Sequence, residues 1–200
     1  MKHEALAHAY PAAIPLLESY HHWLATAGME RGLIGPREVD RLWDRHIANC
    51  AVVEELVPSG SLVYDVGSGA GLPGLVLAIV RPDLRVGLIE PLLRRANFLT
   101  EVITELGLSE QVTVYRDRAE QIKLVKADVV TARAVAPLSK LLQWTLPVTR
   151  SGGLILAMKG SSAQDEIVEA EVVLKGRTAE IVMCGASVVD PATTVVRVAC

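Results

Sequence analysis

The sequence predicts an α/β protein with a seven-stranded, mostly parallel sheet, helices on both faces, and a helical segment ahead of the first strand. Three observations predict it. From Ser61 onward, short runs rich in Val, Ile and Leu alternate with helical segments, the pattern of strands joined by crossover helices. The first run is followed at once by "GSGAGLPG", four glycines in eight positions, a turn that lets backbone approach a ligand at the carboxyl edge of such a sheet. Half of the 200 residues are hydrophobic, ample for one buried core.

Taken in order, Pro11 to Met29 and Pro36 to Val57 each open with a proline, tolerated in a helix's first turn, and then place apolar residues three and four apart. In the second segment Val39, Leu42, Trp43, His46, Ile47 and Cys50 form one stripe, and Gly28, Gly32, Gly35 and Pro36 break the chain between the two. Residues 1–58 are therefore expected to be a helical extension packed on the core, and residues 59–200 the α/β domain. Strands are expected at Leu62 to Val66, Arg85 to Ile89, Gln111 to Tyr115, Ala127 to Ala132, Leu154 to Met158, Glu180 to Met183 and Thr193 to Val198. Helices are expected at Pro73 to Val80, Pro91 to Leu106, Pro137 to Thr145 and Ala163 to Leu174. The last two strands are separated only by "CGASVVDPAT", too short for a crossover, which predicts an antiparallel hairpin.

Composition narrows the class. No stretch approaches the roughly 20 apolar residues of a membrane span, and "MKHEALAHAYPAA" lacks the order of a secretory signal. A cytoplasmic protein with no membrane partner is expected. Cys50, Cys184 and Cys200 have no CxxC spacing and read as reduced thiols; His21 and His22 point to different sides of a helix, so no metal site is expected. The net charge of −3 is uneven, with +3 over residues 61–160 and −3 on each flank. Contact with nucleic acid would have to be local or assisted, not held by bulk charge.

The glycine turn alone suits NAD, FAD and S-adenosylmethionine alike. Its spacing is GxGxG, from Gly67, Gly69 and Gly71, where the dinucleotide fingerprint is GxGxxG, and no GK[ST] follows as in a phosphate loop. Asp65, two residues before the first glycine, can meet the ammonium end of S-adenosylmethionine, whereas beside a pyrophosphate it would be repulsive. Glu90 ends the second strand, where an acid accepts hydrogen bonds from a ribose diol, and "RDRAEQ" after the third offers Glu120 to the adenine. Each has a plainer reading, as a helix cap for Asp65 and as solvated charge for the two glutamates. Their order after successive strands favours S-adenosylmethionine.

The acceptor is sought by elimination. Amine methylation on a base commonly uses Asp or Asn followed by Pro-Pro and an aromatic, pyrimidine carbon 5 needs a cysteine after proline, and neither pattern is present. The fourth strand, "VVTARAVAPLSK", offers neither a metal ligand nor a histidine base, but it ends in Arg133, and the fifth ends in Lys159. Two cations without a base suit a nucleophile that already carries a free lone pair, such as ring nitrogen 7 of guanine, held through RNA phosphates. The alternatives are an internal salt bridge of Arg133 with Glu120 or Asp128, and a solvated Lys159.

These residues resemble the bacterial RsmG (GidB) family. The resemblance runs from about Leu42 to Gly160 and includes "RLWDRHIANC", "DVGSGAGLPGLVLAIVRPDL", "LLRRANFL", "RAE", "ARAVAPL" and "MKG". It implies a class I S-adenosylmethionine-dependent methyltransferase, Rossmann-like with added N-terminal helices, acting on ring nitrogen 7 of one guanosine in 16S ribosomal RNA, guanosine 527 in that family. Carried over by position, it implies that Gly67 and Leu72 touch the cofactor, that Ala119 and Glu120 hold the adenine, and that Arg133 lies beside cofactor and entering base. Asp65, Gly69 and Glu90 join them from the chemistry above. Arg45 and His46 match the family's Arg-His pair and are expected near the mouth of the site, His46 having also a core-facing reading. The expected catalytic residues are Arg133 and Lys159. The expected partner is 16S ribosomal RNA or the small ribosomal subunit, not DNA, and the expected state a monomer. The sequence departs from many members in carrying "RGLIGP" for Asn-Leu-Thr and Asn49-Cys50 for Asp-Ser. The other readings of the same fold are a methyltransferase for a small molecule or protein, and a binding module.

Overall fold

The computed structural model describes residues 2–200. Seven strands form one sheet: β1 (Leu62–Val66), β2 (Arg85–Ile89), β3 (Val112–Tyr115), β4 (Ala127–Arg133), β5 (Thr149–Met158), β6 (Ala179–Cys184) and β7 (Thr193–Ala199). Their order is β3-β2-β1-β4-β5-β7-β6. β1 to β5 pair in parallel, while β7 runs antiparallel to both β5 and β6. The expected terminal hairpin is present, and β7 is inserted between β5 and β6. Every expected strand is found, β1 and β2 with the expected bounds. β5 starts at Thr149 instead of Leu154, because "TRSGG" pairs through an irregular register that carries no apolar signature.

Helices α4 (Gly74–Val80), α5 (Leu93–Glu105) and α6 (Leu138–Thr145) lie close to their expected ranges; the expected Ala163 to Leu174 helix divides at Ala170 into α7 (Ala163–Glu169) and α8 (Glu171–Leu174). The N-terminal part departs more. An unexpected helix, α1 (Lys2–Ala9), precedes α2 (Ile14–Trp23), and α2 continues into a π-helical turn at Leu24–Gly28. The expected second helix is a chain of short turns: 3-10 at Pro36–Arg41, π-helical at Leu42–Ile47, α3 (Ala48–Ala51), then 3-10 at Val52–Leu56. Of its stripe, Leu42, Ile47 and Cys50 are fully buried, while Val39 and Trp43 are half-buried and His46 turns to the cavity.

Two apolar layers sandwich the sheet. On one face Leu17, Tyr20 and Leu24 of the N-terminal segment join Leu75, Leu77, Phe98 and Leu99 against Val63 and Leu88. On the other, Leu138, Leu142 and Ala170 pack on Tyr64, Val130 and Ile155. Each buried Leu, Val, Ile or Phe among them contributes roughly 1.5–3 kcal/mol. Strand order reverses between β1 and β4, so the loops leaving their carboxyl ends diverge and open a crevice. No helix among the described residues is long and apolar enough to cross a membrane.

Candidate active site

A cavity of about 580 Å³ occupies that crevice, within the range of small-molecule sites. Four loops of the sheet line it: residues 67–70 after β1, 90–92 after β2, 117–120 after β3 and 133–135 after β4. The segment ahead of the sheet closes it with residues 33–35, Glu38 and His46.

The glycine-loop wall is held by carboxylates. Glu90, 1% exposed, accepts the Gly69 amide on Oε2 at 2.9 Å and the Leu92 amide on Oε1 at 3.0 Å, tying the loops after β1 and β2 together. From the N-terminal side the Tyr20 hydroxyl donates to the Ala70 carbonyl at 2.8 Å. Asp65 lies beneath the loop, fully buried and absent from the cavity wall. Side chains alternate along a strand, so Asp65 shares the face of Val63, under α4, and Val66 takes the cavity side. Its Oδ2 accepts the Gly74 amide at 2.9 Å, an approach that requires glycine, since a Cβ at 74 would come within 2.8 Å of that oxygen. Its Oδ1 has no hydrogen-bond partner among the described residues. Burial pushes the carboxyl up to about 7, against the opposing pull of the Gly74 amide and the Arg133 charge. The expected contact with a cofactor ammonium is therefore not the geometry found; the residue supports the loop from behind.

The opposite wall is a relay of side chains. Arg133, at the end of β4, places a guanidinium nitrogen 2.6 Å from His46 Nδ1, and His46 Nε2 lies 2.7 Å from Glu38 Oε2. A guanidinium can only donate, so Nδ1 accepts and Nε2 carries the proton to Glu38. His46 is thus neutral. Burial and the Arg133 charge hold its pKa below the ordinary imidazole value, against Glu38. Neither salt bridge considered for Arg133 forms, for Asp128 binds Arg150 and Glu120 lies by Arg118. His46 faces the cavity, not the core.

Lys159 was expected beside the substrate and is instead outside the cavity wall. Only 9% of its side chain is exposed, and Nζ bonds the Ala136 carbonyl and Glu166 Oε2, each at 2.7 Å. Glu166 in turn accepts the Leu138 amide at 2.7 Å, so the pair braces the start of α6 and the loop that carries residues 133–135. Arg45 is exposed, 3.5 Å from Glu38, and also outside the wall. Gly67, Gly69, Leu72, Glu90, Ala119, Glu120 and Arg133 all line the one cavity.

A family model described as "rRNA small subunit methyltransferase G" matches residues 13–188. The chain belongs to this family. A ribosomal RNA small subunit methyltransferase G from Thermobifida fusca is 54% identical over 199 residues, covering 98% of this chain and 84% of that protein. One from Streptomyces coelicolor is 56% identical over 184 residues, covering 90% and 77%. Among solved structures, a SAM dependent methyltransferase from Aquifex aeolicus aligns with a TM-score of 0.57 at 20% identity, covering 82% of this chain and 98% of that one. The mitomycin 7-O-methyltransferase MmcR aligns at 0.60 with 16% identity, covering 92% and 67%. At such identities the likeness is one of fold, the class I methyltransferase fold.

Within this methyltransferase family fold, several residues of the site were not singled out from sequence. Glu38 lies eight positions before His46, a separation that a regular helix would stretch to about 12 Å along its axis. The 3-10 turn at Pro36–Arg41 followed by the π-helical turn at Leu42–Ile47 brings the two together. Trp144 reaches the cavity from α6, where periodicity alone reads it as ordinary packing. Tyr20 looks like one more apolar helix residue until its hydroxyl meets the loop. Cys50 is no nucleophile in waiting, because burial pushes its thiol up to about 11.

Proposed function

We propose that the chain transfers a methyl group from S-adenosylmethionine to ring nitrogen 7 of a guanosine in 16S ribosomal RNA, as a cytoplasmic monomer. The cavity fits the donor: the positive φ at Gly69 (+59) turns backbone toward it, and the nearest atom to a Cβ there is 3.9 Å away, leaving ligand space in front of the loop. Glu90 keeps lone pairs for a ribose diol, and Ala119, Glu120 and Val135 flank a slot for adenine. When bound, the donor supplies an electrophilic methyl on a sulfonium.

The observation that carries the choice of acceptor is the commitment of His46. Among the described residues it is the one imidazole on the cavity wall, and both its nitrogens are engaged, one by Arg133 and one by Glu38. A nucleophile that had to lose a proton would find no free imidazole there, and the exposed carboxylates Asp117 and Glu120 lie on the loop after β3, on the side given to the adenine. Ring nitrogen 7 attacks with its own lone pair and releases no proton, so the residues need only orient it and exclude water. Arg133 lies on the relay wall at the end of β4, where it can orient the base, and Arg118 and Arg95, also on the cavity wall, are available to phosphates.

The test is mass mapping of 16S RNA after incubation of purified protein, S-adenosylmethionine and either naked RNA or small subunits lacking the modification. One added methyl on a single guanosine at nitrogen 7 is expected. Unchanged RNA with intact donor binding, or consumption of a small acceptor irrespective of RNA, overturns the reading.

A further inference from the structure

We propose that Glu38 is a positioning residue of this site: through His46 it holds the guanidinium of Arg133 at the cavity wall. The inference rests on the methyl-transfer reading for its kinetic arm only. The three side chains come from three segments, the turn Pro36–Arg41, the π-helical turn Leu42–Ile47 and the end of β4, and they meet in one line of hydrogen bonds. His46 can accept from Arg133 only while its proton sits on Nε2, and Glu38 is the acceptor that keeps it there.

Without the carboxylate, the tautomer with its proton on Nδ1 would set N–H against N–H, and the guanidinium would be released. The wider π-helical turn is what brings His46 into line between its partners; such turns recur at functional sites. The charged or titratable groups facing His46 are Glu38, Arg45 and Arg133, and those facing Arg133 are His46, Cys50, Tyr20 and Asp65. None of them besides Glu38 accepts the Nε2 proton.

The pair Glu38→Ala and Glu38→Gln tests this in the full chain, with 15N-labelled histidine and His46→Gln as the assignment control. In the wild type, His46 should show the neutral Nε2–H tautomer at pH 7.5. Glu38→Ala should shift it toward the other tautomer and lower kcat by about tenfold, the scale for outer hydrogen-bond partners of a functional group. Melting temperature and S-adenosylmethionine affinity should change little.

Glu38→Gln keeps an oxygen acceptor and should recover most of kcat. Because the carboxylate charge raises the His46 pKa, the glutamine variant should also protonate His46 at lower pH than the wild type. An unchanged tautomer and kcat in Glu38→Ala, or no recovery in Glu38→Gln, overturns the proposal. Were wild-type protein to leave RNA unmethylated, the functional reading would fail while the tautomer measurement would still decide the role of Glu38.

Discussion

The glycine-loop wall of the cavity presents main chain to a ligand and holds it with side chains, Glu90 on two amides from the cavity side, and Asp65 on a third amide and Tyr20 on a carbonyl from behind. The wall facing it presents side chains, Glu38, His46 and Arg133, each oriented by the next. A backbone wall tolerates no added bulk, whereas a relay tolerates bulk but not the loss of a partner. Substitutions on the two walls should therefore fail in different ways.

The largest effect is expected from Gly69→Val. A β-branched residue at a φ of +59 costs roughly 1–2 kcal/mol of strain, and its methyls would enter the open space before the loop. Affinity for S-adenosylmethionine, read by calorimetry, should fall by about a hundredfold or more, each 1.4 kcal/mol being roughly tenfold. On the opposite wall, Arg133→Ala should lower kcat by the order of a hundredfold, the scale for removing one electrostatic donor at a reacting centre. It should leave the fold largely intact. A loss of melting temperature in proportion to the loss of activity would return Arg133 to a structural role.

Sequence reading located residues of both walls, Gly67 and Glu90 on the first and His46 and Arg133 on the second, but not how the side chains connect, for a physical reason. Loops after parallel strands fall at one edge of the sheet whatever their sequences, so locating β1 to β4 also located Gly67, Glu90, Ala119 and Arg133. The strands were visible because they are short, apolar and punctuated by glycine and proline. Which way a side chain points is set by its neighbours. Asp65 and Lys159 were placed at the correct edge but toward the wrong side, one under α4 and the other onto Glu166. The relay was hidden because its partners are 8 and 87 positions apart and meet only through the 3-10 and π-helical turns that replace the regular helix the spacing predicts.

Lys159→Ala separates bracing from chemistry. It removes a partner from the Ala136 carbonyl and leaves Glu166 with its Leu138 and Ser162 contacts alone. A stability loss of roughly 1–3 kcal/mol in urea unfolding is expected, with a smaller fall in kcat than for Arg133→Ala. The reverse ranking would put the ammonium back at the substrate.

Asp65→Asn probes the support behind the glycine loop through pH. The folded carboxyl is pushed up to about 7, above its ordinary value. Between the two the folded state binds more protons than the unfolded one, so stability falls as pH rises from about 4 toward 7. Asparagine cannot ionise and should flatten that slope, by the order of 2–3 kcal/mol between pH 5 and pH 8. Thermal unfolding across that range checks it, and an unchanged slope would mean that Asp65 ionises in the fold without penalty.

The smallest effect belongs to the rim, outside both walls. The Arg118 side chain is 66% exposed and only loosely paired, with Glu120 at 3.8 Å. It can contribute one phosphate contact and little to folding. Each phosphate neutralised releases counterions, so Arg118→Ala should reduce the slope of log affinity against log salt for RNA by about 1, with the donor's affinity unchanged. A shift in donor affinity would instead assign Arg118 to the adenine slot beside Ala119. An unchanged slope would move the RNA path across the mouth toward Arg95 and the relay side, so this measurement locates the substrate relative to the two walls.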